Sequence, residues 1–316
     1  MSSVLTRREF FERAAYSTAL LGFARQAAAT DRMFVSLNGS LTRGVGGADR
    51  ARLAAKLGYG GVDWDFGPAK TAGVDATKAL FAELKIQPTI VNLPMARPLP
   101  FGGEEAAFKD ALKQLADDAA FCGAIGCSRM MVVLPASTTE PKDEQRKLVR
   151  DRFAAISGVL QKSNVRLGME FLGPLYFRAG RAGGPPSTPF IWNLPDTIAL
   201  AKESGPNIGA ILDAWHWHHS GSTTSDIVAA GKSRIVHVHI SDAKPSAPED
   251  VRDNQRFMPG EGIIDLVGFL QALKKIRYTG GISPEPLGRV PQDMSPEDAA
   301  KLALDTTLAV MNKVGV

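Results

Sequence analysis

The sequence predicts an α/β protein built as one (β/α)₈ barrel, and three observations carry that expectation. Short apolar runs alternate with amphipathic segments eight times between residues 30 and 316. The apolar runs are nearly continuous rather than alternating, as parallel strands covered on both faces require. No GxGxxG follows the first run, which disfavours the competing doubly wound sheet. A chain of 316 residues, 44% hydrophobic and 22% charged, can bury one large core of this size.

The strand-like runs fall at RMFVSLN (32–38), GVDWDF (61–66), QPTIVNL (87–93) and RMMVVLP (129–135) in the first half. VRLGMEF (165–171), IGAILDAW (208–215), IVHVHIS (235–241) and GGISPEP (280–286) follow in the second. Between them lie segments with apolar residues every three or four positions: ADRARLAAKLG, EEAAFKDALKQLADDAAFCGAIG and DEQRKLVRDRFAAISGVLQKS, then NLPDTIALAKESG, DLVGFLQALKKIR and SPEDAAKLALDTTLAVMNKV. Several end in glycine, the residue a helix C-terminus prefers.

The first 29 residues read as an address rather than as part of the barrel, so the domains are 1–29 and 30–316. TRREFF pairs Arg7 and Arg8 with aromatic residues, the apolar run AAYSTALLGFA follows, and ARQAAAT offers small residues for cleavage near Ala29. This resembles a twin-arginine signal peptide, which implies export, a periplasmic location and the export machinery as a partner. The alternative is an amphipathic helix packed on the barrel. That segment carries four arginines against two glutamates, so half of the net charge of +4 sits there and the remainder has no basic footprint for nucleic acid. Cys122 and Cys127, the two cysteines, sit near a helix end where burial suits them better than a disulfide. A protein folded before export would need none.

Two connections are long, 174–192 and 242–262, and both follow strands. In a barrel they lie on the catalytic face, where Tyr176, Phe177, Arg178, Phe190, Trp192, Arg256 and Phe257 could cover a ligand.

On that face, the ends of the last four strands each offer one liganding side chain: Glu170, Asp213, His239 and Glu285. Adjacent strands are about 4.8 Å apart, so the four ends form an arc that can surround one ion. A buried carboxylate without a partner is costly, which makes four such intrusions at equivalent positions a poor core. All five histidines lie between 216 and 239. His237 shares a face with His239 but one layer deeper, where a hydrogen-bonded core role is expected. His218 and His219 are expected in the loop beyond the sixth strand, with no required role.

These four residues, in this order, resemble the metal site of the xylose isomerase-like TIM barrel family of sugar (phosphate) isomerases and epimerases, with the ketose 3-epimerase branch nearest. LDAWH matches the family's Asp-x-x-His, which implies that His216 contacts substrate. The PGEG motif at 259–262 also matches and implies a place near substrate for Glu261. The likeness spans roughly residues 32 to 312. Asp63, Trp64 and Asn92 are further pocket candidates.

Three carboxylates and one imidazole make a hard site suited to Mn²⁺ first, with Mg²⁺, Co²⁺, Zn²⁺ or Fe²⁺ as alternatives. The implied enzyme is a metal-dependent sugar isomerase or epimerase that abstracts a proton next to a carbonyl through a metal-stabilised enediolate. Glu170 and Glu285 serve as the catalytic acid and base, and Trp64 and Trp215 stack on the sugar. A 3-keto-glycoside lyase or an inosose-type dehydratase could use the same residues, and a noncatalytic periplasmic sugar-binding protein is the remaining alternative. The expected partners are thus a small sugar substrate and the export machinery, with homo-oligomerisation left open.

Replacing Arg7 and Arg8 together by lysine should keep the full-length chain in the cytoplasm, read by cell fractionation. Normal periplasmic recovery of the double variant would contradict the export reading.

Overall fold

A computed structural model describes residues 32–179 and 185–316; the segment 1–29, expected to direct export, lies outside the described residues. Eight strands form the barrel: β1 (Phe34–Leu37), β2 (Gly61–Asp63), β3 (Gln87–Asn92), β4 (Arg129–Val133), β5 (Arg166–Glu170), β6 (Ile208–Asp213), β7 (Ile235–Ile240) and β8 (Gly281–Pro284). They pair in parallel in sequence order, and β1 closes the ring on β8 through Phe34 opposite Gly281 and Val35 opposite Ile282. Every expected strand is present, each somewhat shorter than its apolar run.

Eleven helices are described: α1 (Gly47–Leu57), α2 (Phe66–Ala72), α3 (Val74–Leu84), α4 (Glu105–Ala124), α5 (Lys142–Gln161), α6 (Leu175–Arg178), α7 (Leu194–Ser204), α8 (Ala214–His219), α9 (Thr224–Ala230), α10 (Leu266–Lys275) and α11 (Pro296–Val314). The longer ones bury one apolar stripe each against the barrel wall. On α10 this stripe is Leu266, Phe269, Leu270 and Leu273. Asn193 starts α7 and Ser295 starts α11 with side-chain caps, and a proline follows each cap in the first turn. None of the described helices is long and apolar enough to cross a membrane.

The barrel interior is filled below its mouth by Ile90, Ile211 and Val236, with Met131 packed against them. Buried Ser36, Thr89 and His237 share the interior with this apolar cluster. Gly168 leaves room for it, since a Cβ there would overlap the Ile211 side chain. Gly173, just past β5, is equally constrained: a Cβ there would overlap the His216 carbonyl and crowd the Ser220 amide, so only glycine lets α8 pack this closely.

The stretch after Asp213 differs from its expected form. An extended end leading into a loop is expected, but Ala214–His219 is a short helix because the Asp213 carboxylate caps it. The two long connections are tied down by small antiparallel ribbons. Ser137–Thr138 pairs with Thr188–Pro189, and Asp242–Ala243 pairs with Arg256–Phe257.

Cys122 and Cys127 are both free and buried, as their setting predicts. Burial pushes the Cys127 thiol up to about 12 and raises Cys122 as well, with Cys127 and Asp118 adding to the rise at Cys122. Thiolate is the reactive form, so at pH 8 neither should react with a thiol reagent until the chain unfolds. Rapid labelling of the native protein would contradict this burial.

Candidate metal centre and active site

Glu170 and Asp213 end β5 and β6, His239 lies in β7, and Glu285 follows β8 directly, its amide donating to the Ile240 carbonyl at 2.9 Å. Parallel pairing sets their heights: Asp213 stands opposite His239, and His239 opposite Ser283. One ligand atom from each of the four lies within 4.8 Å of all the others. A cation about 2.0–2.3 Å from its ligands places opposed ligand atoms about 4–4.6 Å apart, so this spacing fits one ion.

The imidazole presents Nδ1 to the carboxylates, 3.0 Å from Glu170 Oε1 and 3.6 Å from Glu285 Oε2. Asp213 has two tasks. Its Oδ1 accepts from the amides of Trp215 at 2.7 Å and His216 at 3.3 Å, while Oδ2 accepts from Arg256 Nη1 at 2.7 Å. The side chain is thereby fixed before any ligand arrives.

Arg256 completes the centre and is only 2% exposed. Its Nη1 also donates to Glu285 Oε2 at 3.1 Å, Nη2 lies 3.2 Å from His216 Nε2, and Nε and Nη2 donate to Asp253 Oδ1 at 2.8 and 2.6 Å. The guanidinium rests on Trp215, 4.7 Å from the ring centroid.

Electrostatics identify what this centre can accept. Burial alone would raise Asp213, but Arg256, then His216 and His239, overcome it and hold the carboxyl well below the usual range. Burial pushes Glu285 up to about 7 despite His239 and Arg256, with Glu170 and Asp213 adding to the rise. Burial would lower His239, yet Glu285 and Glu170 drive it up to about 10. Both rises mark buried negative charge that Arg256 does not balance, so protons fill the deficit. A divalent cation supplies the same positive charge, and the donor set of three carboxylates and an imidazole suits one.

A second group, Asp63, His237 and His239, also has ligand atoms within 4.8 Å. It has one carboxylate, and Asp63 accepts from Ser36 at 2.8 Å, Ser283 at 2.8 Å and Asn38 at 3.0 Å. His237 Nε2 bonds Ser283 Oγ at 2.8 Å, which is the core role its deeper position predicts. With three carboxylates against one, the four-residue group is the stronger candidate.

A cavity of about 550 Å³ opens onto this centre, lined by Glu170, His216, His239, Arg256 and Glu285 together with Asp63, Trp64, Asn92, Arg97, Met131 and Phe177. A larger cavity of about 660 Å³, between loops 101–103 and 135–140, contains none of the four, so size alone does not locate the site. His216 Nδ1 is buried without a hydrogen-bond partner among the described residues, leaving a polar atom for a ligand.

Other expected contacts fall elsewhere. Trp215 is 1% exposed and lies beneath Arg256 rather than on the cavity wall, so its ring stacks on a guanidinium instead of a sugar. Trp64 borders the cavity but is 6% exposed, its ring edge-on to Phe81 at 4.8 Å. Glu261 pairs with Arg289 at 2.9 Å and does not line the cavity. Of the aromatic and basic residues of the long connections, Phe177 and Arg256 reach the cavity; Arg178 stacks on Trp192 at 3.6 Å and Phe190 is buried. His218 and His219 sit half-buried on α8; His219 is pushed down to about 3, by burial first and then by His218 and His216.

The sequence marks Arg256 only as a residue that could cover a ligand, and nothing in it marks Asp253. The stretch RDNQRF carries no periodicity or motif that would separate these two from solvent-facing loop charges.

Residues 51–309 match the sequence model of the xylose isomerase-like TIM barrel family. An inosose isomerase of Halalkalibacterium halodurans is 27% identical over 243 residues, 76% of this chain and 80% of that protein. A xylose isomerase domain protein from Alicyclobacillus acidocaldarius superposes with a TM-score of 0.80 at 27% identity, covering 90% of this chain and 100% of the other. The IolI protein, solved with a bound zinc atom, superposes with a TM-score of 0.74 at 22% identity, over 89% of this chain and 99% of that one, a likeness of fold.

Purified protein equilibrated with Mn²⁺ should bind one equivalent, and Asp213→Asn or His239→Ala should weaken binding at least about tenfold in a competition titration. His237→Gln should bind as the parent does. Full affinity in Asp213→Asn, or loss confined to His237→Gln, would assign the ion to the other group.

Proposed function

The chain belongs to the xylose isomerase-like TIM barrel family, and from that premise we propose that it is a divalent-metal-dependent sugar isomerase or epimerase acting on a keto-sugar or an inosose. One observation carries the reading: Glu170 and Glu285 flank the same His239 nitrogen from non-adjacent strands, beside a buried guanidinium on the wall of one cavity. The inosose isomerase relatives support the substrate class, since an inosose carries a ketone among hydroxyl-bearing carbons.

Glu170, Asp213, His239 and Glu285 would hold the cation, with Mn²⁺ our first choice for a centre dominated by carboxylate oxygen. When bound, it would supply Lewis-acid charge against the oxygen that becomes negative as the neighbouring carbon loses its proton. The protein's own groups do the rest. A glutamate on one side of the sugar takes the proton from the carbon next to the carbonyl, and the glutamate on the other side delivers one. Transfer across opposite faces inverts that carbon, while delivery to the former carbonyl carbon, with the neighbouring hydroxyl proton passing to the former carbonyl oxygen, moves the carbonyl.

Arg256 and His216 offer a donor edge and a ring nitrogen to the substrate oxygens from positions already fixed by Asp253, Asp213 and α8. Fixed donors cost no reorganisation when charge develops. Phe177, Leu172 and Met131 give the cavity wall an apolar part. The twin-arginine reading of residues 6–29 completes the proposal with a periplasmic location.

A panel of inososes and ketoses incubated with protein and Mn²⁺ in D₂O should show deuterium at a carbon next to the carbonyl. Glu170→Gln should slow this exchange by about 10²-fold or more. No exchange with any member, or undiminished exchange in Glu170→Gln, would overturn the proposal.

A further inference from the structure

A long arginine side chain gives up considerable rotamer freedom when it is fixed in one geometry, so a buried guanidinium needs strong partners. Arg256 has them on both of its edges. The inner edge reaches the catalytic centre, with Nη1 on Asp213 and Glu285 and Nη2 beside His216. The outer edge, Nε and Nη2, is taken by a single oxygen of Asp253 at 2.8 and 2.6 Å.

Asp253 differs from the other partners in origin. It belongs to the 242–262 connection, not to a strand end or to α8. Its backbone amide donates to the Tyr176 hydroxyl at 3.0 Å, and Arg252 lies over the Tyr176 ring at 5.4 Å. Tyr176 in turn stacks on Phe177, a wall of the cavity, with ring centroids 4.1 Å apart. The two long connections thus meet at Asp253, which holds the outer edge of the guanidinium and also borders the cavity.

We propose that Asp253 is a positioning residue, acting through Arg256: it occupies the outer edge of the guanidinium so that the inner edge stays committed to the catalytic centre. Without it, Nε would be a buried donor lacking an acceptor, and the guanidinium would turn to satisfy that donor on Asp213 or Glu285. The donor edge offered to substrate would then be lost. Seating of the two connections and alignment of Arg256 become one event, because the same residue takes part in both.

The kinetic part rests on the function proposed above; the spectroscopic part does not. In Asp253→Ala the Arg256 Nε–H, followed by NMR, should exchange with solvent at least about tenfold faster than in the parent, as expected when a protecting hydrogen bond is lost. With an inosose as probe, kcat should fall about 10²-fold, the scale of a misplaced catalytic group. Bound Mn²⁺ should remain one per chain. Asp253→Asn, which keeps an oxygen acceptor and removes the charge, should fall between parent and Asp253→Ala in both readouts, and serves if the alanine variant fails to fold. Unchanged Nε–H protection in both variants would overturn the proposal, as would loss of turnover with protection intact. If the parent does not turn over the inosose, the functional reading fails and the exchange rates still decide the role of Asp253.

Discussion

Buried negative charge at the barrel mouth is the constraint from which the rest of the site follows. Glu170, Asp213 and Glu285 converge on one imidazole at the barrel mouth, and each is removed from most solvent. Carboxylates placed this way must be paired, hydrogen-bonded or protonated. The protein uses all three means: Arg256 pairs with Asp213, the amides of α8 bond it, and His239 and Glu285 are both shifted toward their protonated forms. Breaking one partner of a buried pair costs about 3–5 kcal/mol because the other charge is stranded. Arg256 therefore belongs to the framework of the centre as much as to its chemistry.

The same constraint explains local structure that otherwise looks arbitrary. Asp213 must end β6 with one oxygen facing the cavity, and its other oxygen is satisfied by starting α8 at once. That helix turns His216 toward the cavity and places Trp215 beneath the guanidinium. Gly173 leaves room for this turn against the end of β5. Strand end, cap, helix and stacked tryptophan form one unit whose purpose is to hold a charge.

Much of this was legible in the sequence. Eight apolar runs with amphipathic segments between them specify a barrel, because parallel strands need helices on their outer face. Glu170, Asp213, His239 and Glu285 could be recognised because a charged residue ending an apolar strand is conspicuous. The residues on the connections were not. Arg256 and Asp253 lie among other charged and polar residues in a stretch that obeys no periodicity, and only the fold of the 242–262 connection brings them over the centre. Trp215 shows the opposite error. A sugar contact is expected of it, but the helix that starts after Asp213 turns the ring under Arg256 instead.

The central claim is that a single cation balances the charge of the four converging side chains. Anomalous diffraction at the manganese edge, from crystals grown with Mn²⁺, tests it directly. The account predicts one strong peak within coordination distance of Glu170, Asp213, His239 and Glu285 together, with Arg256 still paired to Asp253. A peak held by Asp63 and His237, or no ordered peak in this cavity, would contradict it.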